Sequence, residues 1–461
     1  METENKLNRT FGFWSAISMV IGTVIGSGIF FKQGRVLAEA GSSTNAILAW
    51  IVSGFIALAG ALTISELASR VPKTGGLYTY IEAPFGRAIA FLAGWMQVIF
   101  YGPAMIAAVA YFFGTLLLNL LGIPQDHKIL GLSTGLLTGL ATILFIAAIN
   151  LFDNNVSRRF NIVTTLIKFI PVAGLIFYGL FFGRADALGQ TVNHIANSTA
   201  SSGFGVAMLS TLFAYDGWVI ASALGGEVKN SSKTLPKALA IGMTFVLIVY
   251  TAVTWGVLKS LPAQDLVHLD TQAPYYIATK AFGDIAGKLM AVFILVSVIG
   301  TMNSKVLGFP RIVYEMAVEN NFPFAKQFSK LGQKTKTPYV AVIFIAVMAI
   351  VMLFLAGAQD LSDWAILLTY IFYTVAFVGL FVLRKKHIGD DSEYRVPLFP
   401  VVPIVAIAGS IFIITSTLVA AVQGAANKDA TQLIGIIISV VVVLLGYPVY
   451  KYLEHKNGQS N

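Results

Sequence analysis

The sequence predicts an all-α polytopic membrane protein with twelve transmembrane helices, ten of which form two inverted repeats of five helices each. Three observations lead to this fold class. The 461 residues are 56% hydrophobic and only 11% charged, whereas soluble domains carry about 25% charged residues. About twelve apolar runs reach the roughly 20 residues that a bilayer crossing needs. Two of these runs, five apart in order, are interrupted at their centres by glycine.

We number the apolar runs as spans one to twelve. Their predicted ranges are 11–39, 46–70, 83–120, 129–151, 156–182, 203–227, 235–260, 273–320, 338–356, 362–384, 398–422 and 429–453. Spans three and eight exceed one perpendicular crossing, so they should tilt or continue beyond the membrane. The first repeat is predicted over 11–182, the second over 203–384, and two further helices over 398–453. Residues 1–10 and 454–461 remain as terminal tails.

The distribution of charge predicts the orientation of the chain. If the N-terminus is cytoplasmic, most Lys and Arg residues fall in cytoplasmic segments, and few, such as Lys32 and Lys259, fall outside. This positive-inside bias predicts a multi-pass protein of the cell membrane with both termini in the cytoplasm. The net charge of +9 therefore reflects topology and does not indicate nucleic acid. The polar first ten residues do not resemble a cleavable signal peptide.

The first interruption is Gly26-Ser27-Gly28 in the middle of span one. Glycine costs roughly 1 kcal/mol relative to alanine inside a helix, and unwound backbone at membrane depth survives only in protein or beside a watery cavity. One interpretation is a helix break that exposes N–H and C=O groups within the membrane. The other is close helix packing, because Gly22 and Gly26 form a small-xxx-small pair.

The second interruption lies in span six, where Phe213-Ala214-Tyr215 is followed by Asp216-Gly217. An acidic side chain at membrane depth is costly and indicates function by default. The alternative is that the helix simply ends here and a loop reaches into a vestibule.

Two broken helices five spans apart are the sequence pointer to a transporter built from inverted repeats. Half-helix N-termini present amide donors to an anion, and half-helix C-termini present carbonyls to a cation. A zwitterion matches both, so an α-amino acid is the natural substrate. The predicted substrate-binding residues are those of the two interruptions: Ile25, Gly26, Ser27, Gly28, Ile29, Phe213, Ala214, Tyr215, Asp216 and Gly217.

Several motifs resemble those of one transporter superfamily. Gly26 to Phe30 is similar to the first-helix motif of the amino acid–polyamine–organocation (APC) superfamily. Further matches are Pro72-Lys73-Thr74-Gly75-Gly76 with Gly86, Phe213 to Trp218, Gly226-Glu227-Val228 with Leu235-Pro236, Phe309-Pro310-Arg311, and Thr337-Pro338. In this order they are highly specific and cover almost the whole chain. The chain most resembles the L-type amino acid transporter group, and within it the bacterial members that exchange serine, threonine or alanine.

This resemblance implies the leucine-transporter fold, alternating access, and sodium-independent exchange of neutral amino acids, with no enzymatic activity and no cofactor or metal. Mammalian heteromeric members of the group use a cysteine after the third helix to bond a heavy chain. The present chain has no cysteine, which excludes any disulfide or thiolate metal site. We therefore expect no disulfide-linked heavy chain and a single chain that functions alone.

Lys168 lies deep in span five, where a lysine costs about 2.5–3.5 kcal/mol on insertion scales. Snorkelling to a headgroup is one alternative. The resemblance implies another role, because sodium-coupled relatives hold an ion at this place. The Lys168 ammonium can then donate to the carbonyls freed near Gly22 and Gly26 and replace the cation.

The resemblance also implies that Phe213 is a lid over the bound substrate. Tyr250 and Tyr101 are coupling or gating candidates, since Tyr250 can hydrogen-bond towards the broken first helix, although membrane aromatics more often pack. Lys305 is expected near the cytoplasmic end in a structural pair. Glu66 and Glu227 are expected to partner cytoplasmic-side cations.

The pocket segments are expected to offer no carboxylate paired to a cationic side chain; Asp216 is the only candidate, and it is expected at the break rather than in a wall. Ser27, Gly28 and Ala214 leave a compact cavity. Small neutral amino acids such as alanine, serine and threonine follow as substrates. The alternative is a proton-coupled symporter of the same fold with Lys168 as the proton site, since burial can depress a lysine pKa. A membrane enzyme or channel is disfavoured, because the sequence shows no catalytic elbow, P-loop or repeated pore filter.

Overall fold

The computed structural model describes residues 12–71, 75–129, 131–152, 154–184, 187–192, 203–223, 228–333 and 335–458. Within these ranges, eleven helices are long and apolar enough to cross a membrane, and Tyr339–Leu355 is a shorter apolar helix. Together they account for the twelve predicted spans. The predicted all-α polytopic fold is therefore confirmed. Parts of two motifs, residues 72–74 and 224–227 with Glu227, lie outside the described residues, as do residues 1–11.

Most spans begin and end within a few residues of their predicted limits; span one ends earlier, at Phe31, and span eight begins later, at Asp284. Spans one, five, six and twelve each consist of two helical segments, and span three contains a π-helical turn. In chain order the segments are Phe13–Val24 and Ser27–Phe31, Ser43–Arg70, Arg87–Trp95 with the π-helical Met96–Tyr101 and Gly102–Leu121, Thr134–Phe152, Asn154–Ile167 and Phe169–Phe181, Phe204–Tyr215 and Trp218–Ala223, Ser231–Ser260, Asp284–Val318, Tyr339–Leu355, Ala358–Lys385, Val401–Ala426, and Thr431–Leu444 and Gly446–Gly458.

Short elements connect the spans at both ends of the bundle. Gln33–Ala40 continues span one, Leu77–Phe85 precedes span three, and Ala325–Phe328 follows span eight. Ala263–Leu269, a 3₁₀ turn at Asp270–Gln272 and Ala273–Phe282 join spans seven and eight. Strands Lys128–Ile129 and Leu132–Ser133 pair antiparallel, with Lys128 opposite Ser133. The predicted span eight thus divides at Gly283, whose positive φ of 85° suits glycine.

Burial places the two interrupted spans at the centre of the bundle. Span six is the most buried of the candidate spans and span twelve the least. Spans four, five, eleven and twelve carry many exposed large apolar side chains, among them Leu144, Phe177, Ile411 and Ile437. In water such a surface would be costly, whereas in lipid it is the expected outer face. We call the two ends of the bundle the Lys32 end and the Arg70 end, after residues that lie there; the sequence predicts the Arg70 end to be cytoplasmic.

Candidate functional site

The first interruption is a true break in span one. The helix ends at Val24, Ile25 is extended, and a new helix begins at Ser27. The glycines also permit close packing. A Cβ on Gly26 would lie 2.5 Å from Thr301 Oγ1 of span eight, and one on Gly22 would lie 2.6 Å from Thr165 Oγ1 of span five. The two interpretations of the motif, a helix break and close helix packing, are therefore compatible, because both features occur in the same stretch.

The second interruption lies directly against the first. Span six ends its first helix at Tyr215, Asp216 is extended, and Gly217 has a φ of +114°. A Cβ on Gly217 would lie 2.8 Å from the carbonyl oxygen of Thr23, and one on Gly28 would lie 2.4 Å from Cα of Ala214. Ile25 and Ile29 are fully buried beside them. The predicted binding residues of both spans are thus brought together, with backbone facing backbone.

Lys168 joins span five to the end of the broken helix. Its Nζ atom donates to the carbonyl oxygens of Gly22 at 2.8 Å and Ile25 at 2.5 Å, and to Thr301 Oγ1 at 3.3 Å. The side chain is completely buried, so it does not snorkel. Span five itself is interrupted here, since its helices end at Ile167 and restart at Phe169. The ammonium therefore occupies the carbonyl cluster at which span one unwinds.

Tyr250 of span seven connects the two breaks. Its hydroxyl lies 3.0 Å from the carbonyl oxygen of Val24 and 3.0 Å from that of Ala214. One hydroxyl proton serves either acceptor, so Tyr250 ties spans one and six at the same height. The ring of Tyr215, another predicted binding residue, packs against Trp50 and Tyr250, with ring centroids 6.0 and 4.9 Å apart.

A buried ion pair lies beneath the span-six break, and it corrects the expectation that no paired carboxylate would occur in the pocket segments. Asp216 Oδ2 is 3.2 Å from Lys305 Nζ of span eight. Tyr101 of span three donates its hydroxyl to the same carboxylate, with distances of 2.6 and 2.8 Å to its oxygens. Lys305 is thus in a pair, as expected, but its partner is at the break. The pair leaves this part of the site formally neutral.

Aromatic side chains separate the breaks from the Lys32 end. The Phe213 ring packs at a tilt against Phe112, with ring centroids 5.9 Å apart, and Phe112 stacks on Phe31 at 5.4 Å. Phe213 precedes Ala214, which faces Gly28, and it lies on the Lys32 side of that contact. The Lys32 ammonium is 4.9 Å from the centroid of the Phe213 ring. The predicted lid residue therefore sits under a buried cation.

The Lys32 end is closed by a charged cluster. Lys32 Nζ donates to Gln359, Ser362 and Asp363 of span ten. Arg35 pairs with Asp363 at 2.6 Å and with Glu39 at 2.7 Å. These ion pairs hold the extension of span one against span ten.

A second cluster joins spans two and ten at the Arg70 end. Glu66 accepts hydrogen bonds from Arg70 at 2.8 Å and from Arg384 at 2.6 Å, so its predicted pairing with cations is confirmed. Arg70 also pairs with Asp390 at 2.9 Å. The hydrogen bond from Arg70, followed by that from His387, lowers the pKa of the Asp390 carboxyl. No group of three or more His, Asp or Glu residues in the described ranges is arranged to hold a metal ion.

Sequence reasoning missed Lys32 and its span-ten partners. In the sequence, Lys32 resembles an ordinary lysine that flanks a membrane span, so it counts only among the few positive charges expected outside. The feature that distinguishes it is its position four residues after Gly28, one helical turn beyond the break. A side chain there can reach back over the break or across to a neighbouring span.

Comparison with known proteins agrees with this arrangement. A family model described as amino acid permease matches residues 11–444. The chain is 41% identical over 451 residues to the serine/threonine exchanger SteT of Bacillus subtilis (strain 168), covering 98% of each chain. It is 28% identical over 418 residues to the b(0,+)-type amino acid transporter 1 of Mus musculus, covering 90% and 83%. It is 27% identical over 398 residues to the human cystine/glutamate transporter, covering 86% and 77%.

The family match extends across both breaks and all but the last part of span twelve. The relatives named above are transporters or exchangers. The chain therefore belongs to the amino acid permease family of the APC superfamily and is a multi-pass membrane protein that transports amino acids.

Proposed function

We propose that the protein exchanges small neutral L-amino acids across the membrane by alternating access, without coupling to sodium. The observation that carries this proposal is the contact of Lys168 Nζ with the carbonyl oxygens of Gly22 and Ile25. Carbonyls freed by unwinding are the ligands that a transporter offers to sodium. Here a covalently attached cation already occupies them. The tethered ammonium cannot leave the site as a sodium ion does, so it cannot couple transport to a sodium gradient.

Exchange and substrate size have separate support. SteT, with which the chain aligns over nearly its full length, is a serine/threonine exchanger. The close approach of Gly28 to Ala214 favours substrates with short side chains. The N-terminal amides of Ser27–Phe31 suit the substrate carboxylate, because no side chain caps that helix. The carbonyls at the end of Phe204–Tyr215 suit its ammonium.

Counterflow in proteoliposomes tests the proposal. Vesicles containing the purified chain are preloaded with unlabelled serine, and uptake of labelled serine is followed with sodium and pH varied separately. We expect uptake that requires internal substrate, is unchanged when sodium replaces choline, and is inhibited by alanine and threonine more than by glutamate, arginine or tryptophan. A requirement for sodium contradicts sodium independence. Uptake into empty vesicles that follows an imposed pH gradient establishes the proton-coupled alternative, with Lys168 as its first candidate.

Activity of the purified chain in the same vesicles tests the proposal that one chain suffices. Cysteine labelling tests the proposal that the Arg70 end is cytoplasmic. The chain has no cysteine, so a single introduced cysteine is the only thiol that a reagent can label. His387→Cys at the Arg70 end and Asp265→Cys at the Lys32 end both replace exposed residues. In intact cells, an impermeant thiol reagent should label only the Asp265→Cys protein; the reverse pattern contradicts the orientation.

A further inference from the structure

Lys32 is the one cation in the described ranges that touches the predicted lid, Phe213. Its side chain is fully buried, although it lies only one residue beyond the helix Ser27–Phe31. The other residues that contact Nζ are Gln359, Ser362 and Asp363, all on span ten. Lys32 therefore links the lid above the substrate site to a span that carries none of the predicted binding residues.

The contacts of Lys32 fit its charged form. The Gln359 Oε1 atom and a carboxylate oxygen of Asp363 are acceptors, and the Ser362 hydroxyl donates its own proton to the Gln359 carbonyl oxygen at 2.7 Å. The ammonium thus meets three acceptors. The face of the Phe213 ring adds a fourth favourable surface, because an aromatic quadrupole attracts a cation within about 6 Å.

The pairing around Asp363 is unequal. Asp363 binds Arg35 through one oxygen at 2.6 Å and Lys32 through the other at 3.4 Å. Arg35 and Lys32 both lie on the extension of span one, while Asp363 lies on span ten. Asp363 therefore compensates the Lys32 ammonium less closely than it compensates the Arg35 guanidinium. The ring of Phe213 is a further contact of the ammonium.

We propose that Lys32 is a specificity-determining residue of the gate, whose ammonium beside Phe213 excludes cationic amino acids from the substrate site and admits zwitterions. This inference rests on the proposed function, because it assumes that amino acids pass the Phe213 lid. A zwitterion carries its carboxylate and ammonium close together, so its interaction with Lys32 nearly cancels. A side chain that ends in a second cation leaves one charge uncompensated. At an effective dielectric constant of about 20, two unit charges about 10 Å apart repel each other enough to change binding by roughly tenfold or more.

The test measures inhibition of serine counterflow by L-ornithine and by L-glutamine. The two inhibitors are of similar length and differ in side-chain charge, so the ratio of their inhibition constants cancels effects of pocket size. Lys32→Met keeps an unbranched side chain against Phe213 without the charge. We expect inhibition by ornithine to strengthen about tenfold relative to inhibition by glutamine. Lys32→Arg keeps the charge and should retain the wild-type ratio. Lys128→Met, which removes an exposed lysine from the strand at the Lys32 end, is the matched control and should also retain it.

Asp363→Asn distinguishes exclusion of cationic amino acids from a purely structural role of Lys32 in holding the Lys32 end closed. It weakens the link to span ten but leaves the Lys32 charge, so we expect a changed exchange rate and continued rejection of ornithine. An unchanged ornithine-to-glutamine ratio in an active Lys32→Met protein overturns the proposal, as does a wild-type protein that accepts both equally. Lys32→Gln serves as the second neutral variant. If both neutral variants lose serine exchange while Lys32→Arg retains it, Lys32 is a lock and the exclusion proposal is wrong. Absence of serine exchange in the wild type instead contradicts the proposed function itself.

Discussion

The contact between Lys168 and the broken helix makes a quantitative prediction. In Lys168→Ala, the carbonyl oxygens of Gly22 and Ile25 lose their shared donor. Thr301 Oγ1 remains 3.0 Å from the Ile25 oxygen but 3.4 Å from the Gly22 oxygen. One hydroxyl proton can satisfy only one of them. The variant therefore leaves about one buried carbonyl without a donor, which costs about 1–3 kcal/mol.

This cost should fall unequally on the two open states, because the first half of span one has to move between them. A penalty confined to one state changes the ratio of inward-open to outward-open protein by about 5- to 150-fold. We expect Lys168→Ala to slow serine exchange strongly and to change its apparent affinity differently on the two faces. Lys168→Arg keeps the charge but replaces a compact donor with a planar fork, so it should not restore the wild-type rate.

The assay is counterflow with substrate varied on one face at a time, in vesicles whose protein orientation has been determined. Thr301→Val is the companion variant, since it removes only the weaker donor and should have a smaller effect of the same kind. Wild-type kinetics on both faces of Lys168→Ala would refute the reasoning, as would sodium stimulation of the wild-type protein. A wild-type rate that follows the pH gradient and loses this dependence in Lys168→Ala would identify Lys168 as a proton site.

Three further predictions concern the breaks and the lid. Gly28→Leu should abolish exchange without preventing insertion, because even a Cβ would lie 2.4 Å from the Ala214 Cα atom. The control Gly357→Ala, at a position where nothing lies within 4 Å of an added Cβ, should behave as wild type. Near-normal uptake by Gly28→Leu would contradict the site assignment. Phe213→Ala should weaken the apparent affinity for serine and let larger neutral amino acids compete; an unchanged selectivity profile in competition assays would make Phe213 a packing residue. Tyr250→Phe should lower the exchange rate by about 5- to 15-fold, since one buried hydrogen bond is worth roughly 1 kcal/mol and its loss leaves a carbonyl unpaired. A rate equal to that of the wild type at matched expression would exclude a coupling role for Tyr250.

Much of the site was predictable because its signals are local. Gly26-Ser27-Gly28 and Asp216-Gly217 interrupt apolar runs, and glycine or aspartate within such a run is unfavourable whatever surrounds it. Lys168 was detectable for the same reason, because a lysine at membrane depth needs a partner wherever it is found. The carbonyls freed in span one were the natural partner. The lengths of the apolar runs, the glycines that interrupt two of them and the lysine within another thus determined the spans, the breaks and the need for an internal partner.

What only the tertiary structure decided is which distant groups meet. Asp216 and Lys305 are 89 residues apart, and Lys32 and Asp363 are 331 apart. Such pairs depend on the rotation and depth of separate helices, which no local pattern specifies. Phe213 and Tyr215 show the same point on one helix. At 3.6 residues per turn, two positions lie about 200° apart. Phe213 therefore lies beside Phe112 and Lys32, whereas Tyr215 packs against Trp50 and Tyr250. Only the placement of span six against its neighbours decided which of the two aromatics meets which group.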